Sequence, residues 1–305
     1  MLRFTLRQLE YALAIAEQGS LAKAAQQLGV AQPSLSASLQ KLEAQLGLQL
    51  FIRHHAQGVS PSPQGLRFLN EARSLIAHGV DFQRDSTDAG NLVEGELTIG
   101  SFLSIAPAYA PKLIASFQKL HPKAHIRLEE GAQDQLFTGL RSGKYDLVLL
   151  YKLDMPGDLK VTDLATLKPY VLLNANHRLA RKRRISLAEL AGDPFILLDV
   201  PPSQTYFIRV LEQHGITPRI SFASPSLELV RGLVGQGLGY SLLITRPFGD
   251  RTYDGEALAI RPIAEDVEDG IIALAMLKTL RPTRLISTFE EFCVSFFRKA
   301  HSNRN

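Results

Sequence analysis

The sequence predicts an α/β chain with an all-α, winged amino-terminal part: a winged helix-turn-helix, one long linker helix, then two Rossmann-like α/β lobes. Three observations carry that prediction. Residues 1 to about 90 show helical periodicity and no alternating β-branched run, whereas from Leu97 onward short apolar strands alternate with amphipathic helices. The stretch LAKAAQQLGVAQPSLSASLQ is a short helix, a glycine turn and a proline-started helix, which is helix-turn-helix spacing. Finally, 305 residues are enough for two or three domains at about 150 residues each.

Composition removes several function classes. Hydrophobic residues make up 45% and charged residues 21%, so cores can be buried and disorder is not the main state. A net charge of +4 is compatible with nucleic acid but common among enzymes. Cys293 is the one cysteine, so neither an internal disulfide nor a thiolate metal cluster forms within the chain. Glu10 and Glu17 interrupt the first apolar stretch, unlike a secretory leader. No run reaches the roughly 18 apolar residues of a membrane span, and a cytoplasmic location is expected.

In the amino-terminal part, Leu6, Leu9, Leu13 and Ala16 predict one buried stripe on a helix ending near Gly19. Ser20 offers an N-cap to a second helix that Gly29 closes. Pro33 suits the first turn of a third helix, on which Leu35, Leu39, Leu42 and Leu46 form a stripe up to Gly47. LQLFIRHHAQGVSPS reads as two extended pieces around a polar tip, a wing. Ser62 and Pro63 then start a long helix to about residues 83–86, where Leu69, Ala72, Ile76 and Gly79, with Leu75 and Phe82 alongside, leave apolar surface to spare. A second copy of the same helix covers such a face most cheaply, so a dimer is expected.

From GELTIGS onward the run strand, helix, strand, helix, strand predicts βαβ units and a parallel sheet. KVTDLATLKPYVLLNA opens a second series through PFILLD, RISFAS, SLELVRGLVGQ and LGYSLLI, and GIIALAML with a last helix from about Pro282 to Lys299 returns to the first lobe. The expected division is 1–62, 63–90 and 91–305. Within the last, lobe I takes 91–164 and 263–305 and lobe II takes 165–262, with hinge crossings near Tyr151 to Leu164 and Ala257 to Pro262.

FTLRQLEYALAIAEQGSLAKAAQQLGVAQPSLSASLQKLEAQLGLQLFIR, followed by VSPSPQG, the long helix and the paired lobes, resembles the LysR-type transcriptional regulators over essentially the whole chain. The resemblance implies a winged helix-turn-helix that binds double-stranded operator DNA and a linker helix that dimerises. It also implies an effector domain like the type 2 periplasmic binding proteins, assembled as a homodimer or homotetramer on an interrupted inverted repeat. The chain departs from the family pattern in two places. Ala37 and Ser38 follow Ser36 where the family commonly has a longer Arg or Gln. The wing, Arg53-His54-His55-Ala56-Gln57-Gly58, is one residue longer and lacks the second arginine.

Within that motif the polar amino-terminal face of the third helix enters the major groove, where Gln bonds adenine and Ser serves base or phosphate. The expected DNA-facing set is Gln32, Pro33, Ser34, Ser36, Ser38, Gln40 and Lys41, with Arg53, His54 and His55 on the wing. Arg53 suits a phosphate. The plainer reading makes the serines helix caps and Lys41 a solvated lysine. His54 and His55 are neighbours without a carboxylate or cysteine beside them, a poor chelating pair, so no metal is expected. The basic run from Arg178 to Arg184 reads first as a solvated face, with auxiliary DNA contact or a subunit interface as alternatives.

Ligands of open α/β sheets bind beyond the carboxyl ends of strands, against helix N-termini. Hydroxyls stand at three such junctions: Ser101, Phe102 and Ser104; Pro202 and Ser203; Ser224 and Ser226. Gly131 marks a fourth, and Tyr151 stands near the hinge. If the lobes face each other as in the family, these converge on one cleft. The same serines also read as N-caps. No Lys or Arg occupies the three junctions, so a neutral or monoanionic effector is expected, with Phe102 giving apolar contact. Gly235, Gly237 and Gly239 fail the dinucleotide pattern, lying between a helix and a strand, and Ser241 lacks the glycine of a nucleophile elbow. The competing classes are a solute-binding protein, against which the missing export signal and the helix-turn-helix argue, and an enzyme on the α/β lobes, for which no catalytic set or cofactor motif is found.

Overall fold

The computed structural model describes residues 3–54, 58–85 and 93–302. The chain opens with α1 (Leu6–Gln18), α2 (Leu21–Gln27) and α3 (Gln32–Leu46), then the wing strands β1 (Phe51–His54) and β2 (Gly58–Pro61), then α4 (Pro63–Asp85). Local chemistry sets these boundaries. Thr5 and Gln8 form a reciprocal capping box at α1, Ser20 caps α2, and Gly19 and Gly47 end α1 and α3 in the left-handed region. The Ser62 hydroxyl accepts the Gly65 N–H at the start of α4. Around these helices Ala12, Ile15, Ala24, Leu35, Leu39, Leu42, Leu50 and Phe51 close one core. The α1 stripe is rotated from expectation: Leu9, Ala12 and Ile15 are buried while Leu6 is exposed, because α2 and α3 both pack on that side.

β1 and β2 pair antiparallel, with His54 opposite Gly58. The wing is pinned from both ends. Glu43 accepts the Leu50 and Phe51 N–H groups at 2.7 and 3.2 Å, and the Val59 N–H donates to Gly19 O at 2.9 Å. Gly58 has φ of +90° and lies so close to the Gly19 carbonyl that a Cβ would fall 2.2 Å from its oxygen, so no other residue fits there.

The first lobe has β3 (Gly95–Phe102), α5 (Ala106–Leu120), β4 (Ala124–Gly131), α6 (Gln133–Ser142), β5 (Leu147–Tyr151), β6 (Leu159–Leu167), β12 (Gly270–Leu277) and α9 (Arg284–Ser302). Its sheet runs β4-β3-β5-β12-β6. β3 is parallel to β4 and β5, but β12 is antiparallel to both β5 and β6, so the sheet is mixed rather than the parallel one expected. The reason is connectivity: β12 re-enters from the second lobe between two strands that already run together.

The second lobe has β7 (Tyr170–Asn174), β8 (Pro194–Leu198), α7 (Ser203–Gln213), β9 (Arg219–Ser224), α8 (Leu227–Gly235), β10 (Ser241–Leu243) and β11 (Leu258–Pro262). β10 and β11 flank β7 antiparallel, β8 and β9 pair parallel, and a bridge from Phe195 to Tyr240 joins the two sets. β6 stays in the first sheet through Leu167, so residues 165–167 fall in the first lobe, not the second as the sequence division had it. The two crossings run through residues 168–169 and 263–269 rather than the stretches expected, of which the first is the β5–β6 connection with the start of β6 and the second is β11. One apolar core spans both lobes.

Candidate DNA-binding face and effector cavity

Burial of Leu35, Leu39 and Leu42 turns the opposite side of α3 outward. Gln32, Pro33, Ser34, Gln40 and Lys41 are exposed, and Ser36 and Ser38 are half-buried. The N-cap residue, Ala31, makes no side-chain cap, so the first N–H groups of α3 keep the positive end of the helix free of competing acceptors from that residue. Arg53 and His54 are exposed on β1, and His54 Nε2 lies 2.7 Å from Ser60 Oγ across the wing. His55 and Gln57 lie outside the described residues. Ser38 and Lys41 share an open groove of about 450 Å³ with Arg3, Thr5 and Gln8. Arg3, outside the sequence-based set, lines the same groove as Lys41, which the packing of α1 on α3 brings about.

The predicted junction residues divide between two environments. Ser104 and Tyr151 of the first lobe and Ser203 of the second line one small cavity of about 10 Å³, together with Leu198, Phe207, Leu227, Leu243, Ile244 and Thr245. No charged side chain is among these lining residues. The Tyr151 hydroxyl hydrogen-bonds the Thr245 hydroxyl, and the Tyr170 hydroxyl donates to Thr245 O at 3.0 Å. Burial pushes the Tyr151 phenol up to about 12, against the opposing pull of its Thr245 and Ser104 hydrogen bonds. Tyr151 is therefore a neutral donor and acceptor at any physiological pH.

The other expected residues sit apart from that lining. Phe102 is fully buried behind Tyr151, ring edge to face at 5.6 Å, and Gly131 is its register partner on β4. Ser101 is wholly buried in β3, with no hydrogen-bond partner for its hydroxyl among the described residues. Pro202 is buried at the entry to α7. Ser224 Oγ accepts the Ser226 N–H at 3.1 Å, and exposed Ser226 caps α8 by accepting the Leu229 N–H, so these two hydroxyls are engaged in local capping. Thr245, in contrast, was overlooked. It follows β10, which continues the bridge parallel to β8, so the strand-end rule applied to SLLIT would have found it.

Within the basic run, Arg178 pairs with Asp193, Lys182 with Glu189, and Arg184 donates to the Ile263 carbonyl, while Arg181 and Arg183 stand exposed. Cys293 is buried in α9, and burial pushes its thiol pKa up. No helix among the described residues is long and apolar enough to cross a membrane.

Residues 6–66 match the bacterial regulatory helix-turn-helix protein family, lysR type, and residues 90–298 match the LysR substrate binding domain. Among solved structures, HinK, a LysR family transcriptional regulator from Pseudomonas aeruginosa, is 40% identical over 96% of this chain and 99% of that one, with a TM-score of 0.66. Full-length OxyR C199D from the same organism is 25% identical over 98% of this chain and 96% of that one, with a TM-score of 0.78. A hydrogen peroxide-inducible genes activator of Escherichia coli is 28% identical over 282 residues, 92% of this chain and 87% of that protein. These relatives are regulators of transcription, not enzymes. With a helix-turn-helix at one end and a two-lobed effector domain at the other, the chain belongs to the LysR family of DNA-binding transcriptional regulators.

Proposed function

We propose that this regulator responds to a small neutral or monoanionic effector held between its lobes, and that two or four copies present their α3 helices to an inverted repeat. The observation that carries the effector class is the cavity lining: hydroxyls of Ser104, Tyr151, Ser203 and Thr245 facing aliphatic and aromatic walls without a cation. Burying a multiply charged anion there would leave its charge uncompensated. At about 10 Å³ the cavity has room for no more than about one water, far below the roughly 300–1,000 Å³ usual for ligand sites, so holding an effector requires a more open arrangement of the lobes. On the DNA side, Gln32, Ser34, Ser36 and Gln40 are the base-reading candidates, and Lys41 and Arg53 suit phosphates. Effector binding would alter lobe closure and so the spacing between DNA-reading helices, to which half-sites one turn apart are sensitive.

The similarity to hydrogen peroxide-inducible activators does not extend to thiol chemistry in this chain. Cys293 is its one cysteine, it is wholly buried, and its raised pKa keeps the reactive thiolate scarce. Calorimetric titration of the full chain with small neutral, monoanionic and dianionic metabolites, paired with promoter-fragment binding across a salt series, tests the proposal. Selective tight binding of a dianion would refute the effector class. Equal affinity for promoter and scrambled duplex would refute the operator reading.

A further inference from the structure

α4 carries two faces. Leu75 and Phe82, at 43% and 75% exposed, lie on one side of the helix. On the other, Asn70, Arg73, Ala77 and Asp81 recur at helical spacing and turn toward the first lobe across a groove that Arg73 and Ala77 line with Thr98, Gly143 and Asp146. Along this second face the helix makes three contacts to backbone groups of the lobe. Asn70, only 7% exposed, donates from Nδ2 to Arg141 O at 2.6 Å, and Arg73 donates to Gly143 O at 2.8 Å. About two turns beyond Arg73, Asp81 Oδ2 accepts the Arg284 N–H at 3.0 Å.

The signs of these contacts match the helix ends they meet. Arg141 O and Gly143 O belong to the carboxyl terminus of α6, where unpaired carbonyls make a negative pole, and it is met by an amide and a guanidinium. Arg284 opens α9, whose amino terminus is a positive pole, and it is met by a carboxylate. Gly143 has φ of +69°, and a Cβ there would lie 1.9 Å from Asn70 Oδ1 and 2.4 Å from the Arg73 guanidinium, so a larger residue would push both side chains out of these contacts. Arg73 also acts on Asp146, lowering a pKa that burial raises. A helix laid passively on a surface has no reason to place a cation on one pole and an anion on the other.

We infer that Asn70, Arg73 and Asp81 are positioning residues that dock the linker helix between the ends of α6 and α9 and so set where the DNA-reading part sits relative to the first lobe. None of the three lies on the α3 or wing surface, so they act on the geometry of the two heads and not on DNA contact. The device requires only that the chain bind DNA through its amino-terminal part. It is independent of what fills the cavity.

The test is single-molecule energy transfer in the full chain between dyes on cysteines introduced by Glu10→Cys and Lys119→Cys, both exposed sites, with labelled chains diluted into excess unlabelled protein. Native Cys293 is buried and stays unlabelled. The combined Arg73→Ala, Asp81→Ala variant is expected to broaden the distance distribution at least about two-fold or add a second population, while Arg73→Lys with Asp81→Glu keeps the parental width. Affinity for a short random duplex should change by less than about two-fold in both. A distribution in the alanine variant that superimposes on the parent overturns the inference. So does broadening in the conservative variant equal to that in the alanine one. Should the double variant melt early, Arg73→Ala alone, at an exposed position, is expected to broaden the distribution in the same direction, and an unchanged width there overturns the inference equally.

Discussion

The amino-terminal part and the paired lobes use polar side chains in opposite ways. On α3, Gln32, Ser34, Gln40 and Lys41 stand outside a small leucine core, ready for a partner that comes to the surface. Between the lobes, Ser104, Tyr151, Ser203 and Thr245 are gathered inside, where the proposed effector would have to be enclosed. A groove reader needs one stiff helix with an exposed face, and the core behind it is closed by nearby segments, from Ala12 of α1 to Phe51 of the wing. An enclosing site needs groups from two sheets, so its members are scattered over the sequence from Ser104 to Thr245. Each region should therefore fail separately when its own logic is broken.

The largest effect is expected from Leu39→Ala, which empties a 3%-exposed position in the core under α3 and costs about 2–5 kcal/mol. Thermal melting should show the amino-terminal part unfolding early and duplex binding lost, with the lobes' own transition kept. A single merged transition would argue that the regions are one cooperative unit. Next comes Thr245→Val, which removes the hydroxyl that partners Tyr151 inside the cavity and costs about 1–3 kcal/mol, seen in the melting of the lobes. Random-duplex affinity should stay within about two-fold; a larger loss would break the separation.

Ser36→Ala tests the surface side alone. About 1 kcal/mol of specific affinity, roughly five-fold, is expected to disappear in a promoter-fragment titration. If affinity is retained, Gln32 and the wing carry the base contacts. The smallest effect concerns Asp146, which accepts the Thr98 N–H at 2.8 Å and whose carboxyl burial holds above its ordinary pKa. Because the folded state binds this proton more tightly than the unfolded chain, the charged form is penalised at neutral pH and the penalty fades as pH falls through the raised pKa. Asp146→Asn keeps the acceptor and removes the charge, so its melting temperature should exceed the parent's by about 1–3 °C at pH 7, and the gap should close on acidification. A gap that widens instead would show that Arg73, and not burial, dominates the site.

Much of the first region is legible because its signals are local. Gly19, Gly29, Pro33 and Gly47 punctuate the helices at positions that backbone sterics alone select, and the α3 stripe at Leu35, Leu39 and Leu42 follows directly. Even there the register of α1 escaped, since Ala12 and Ile15 are buried by what α2 and α3 bring to them. In the lobes, strands and helices are recognisable one by one, but their partners are not. LKVTDLATL reads as the opening of a new series, and only its pairing with β12, more than a hundred residues on, keeps it in the first sheet. Ser226 looks like a ligand residue as readily as a cap until its hydroxyl is seen accepting the Leu229 N–H.

What the amino-acid order determined unaided was therefore the helix-turn-helix, the wing, the long linker and the alternation of strands and helices beyond it, because each follows from neighbours within a few residues. Tertiary structure alone decided the mixed sheet, the choice of Ser104, Tyr151, Ser203 and Thr245 as cavity walls, and the seating of Arg73 and Asp81 on opposite helix poles. Those depend on contacts between residues tens to hundreds of positions apart, and periodicity carries no record of which distant segment will supply the other half of a contact.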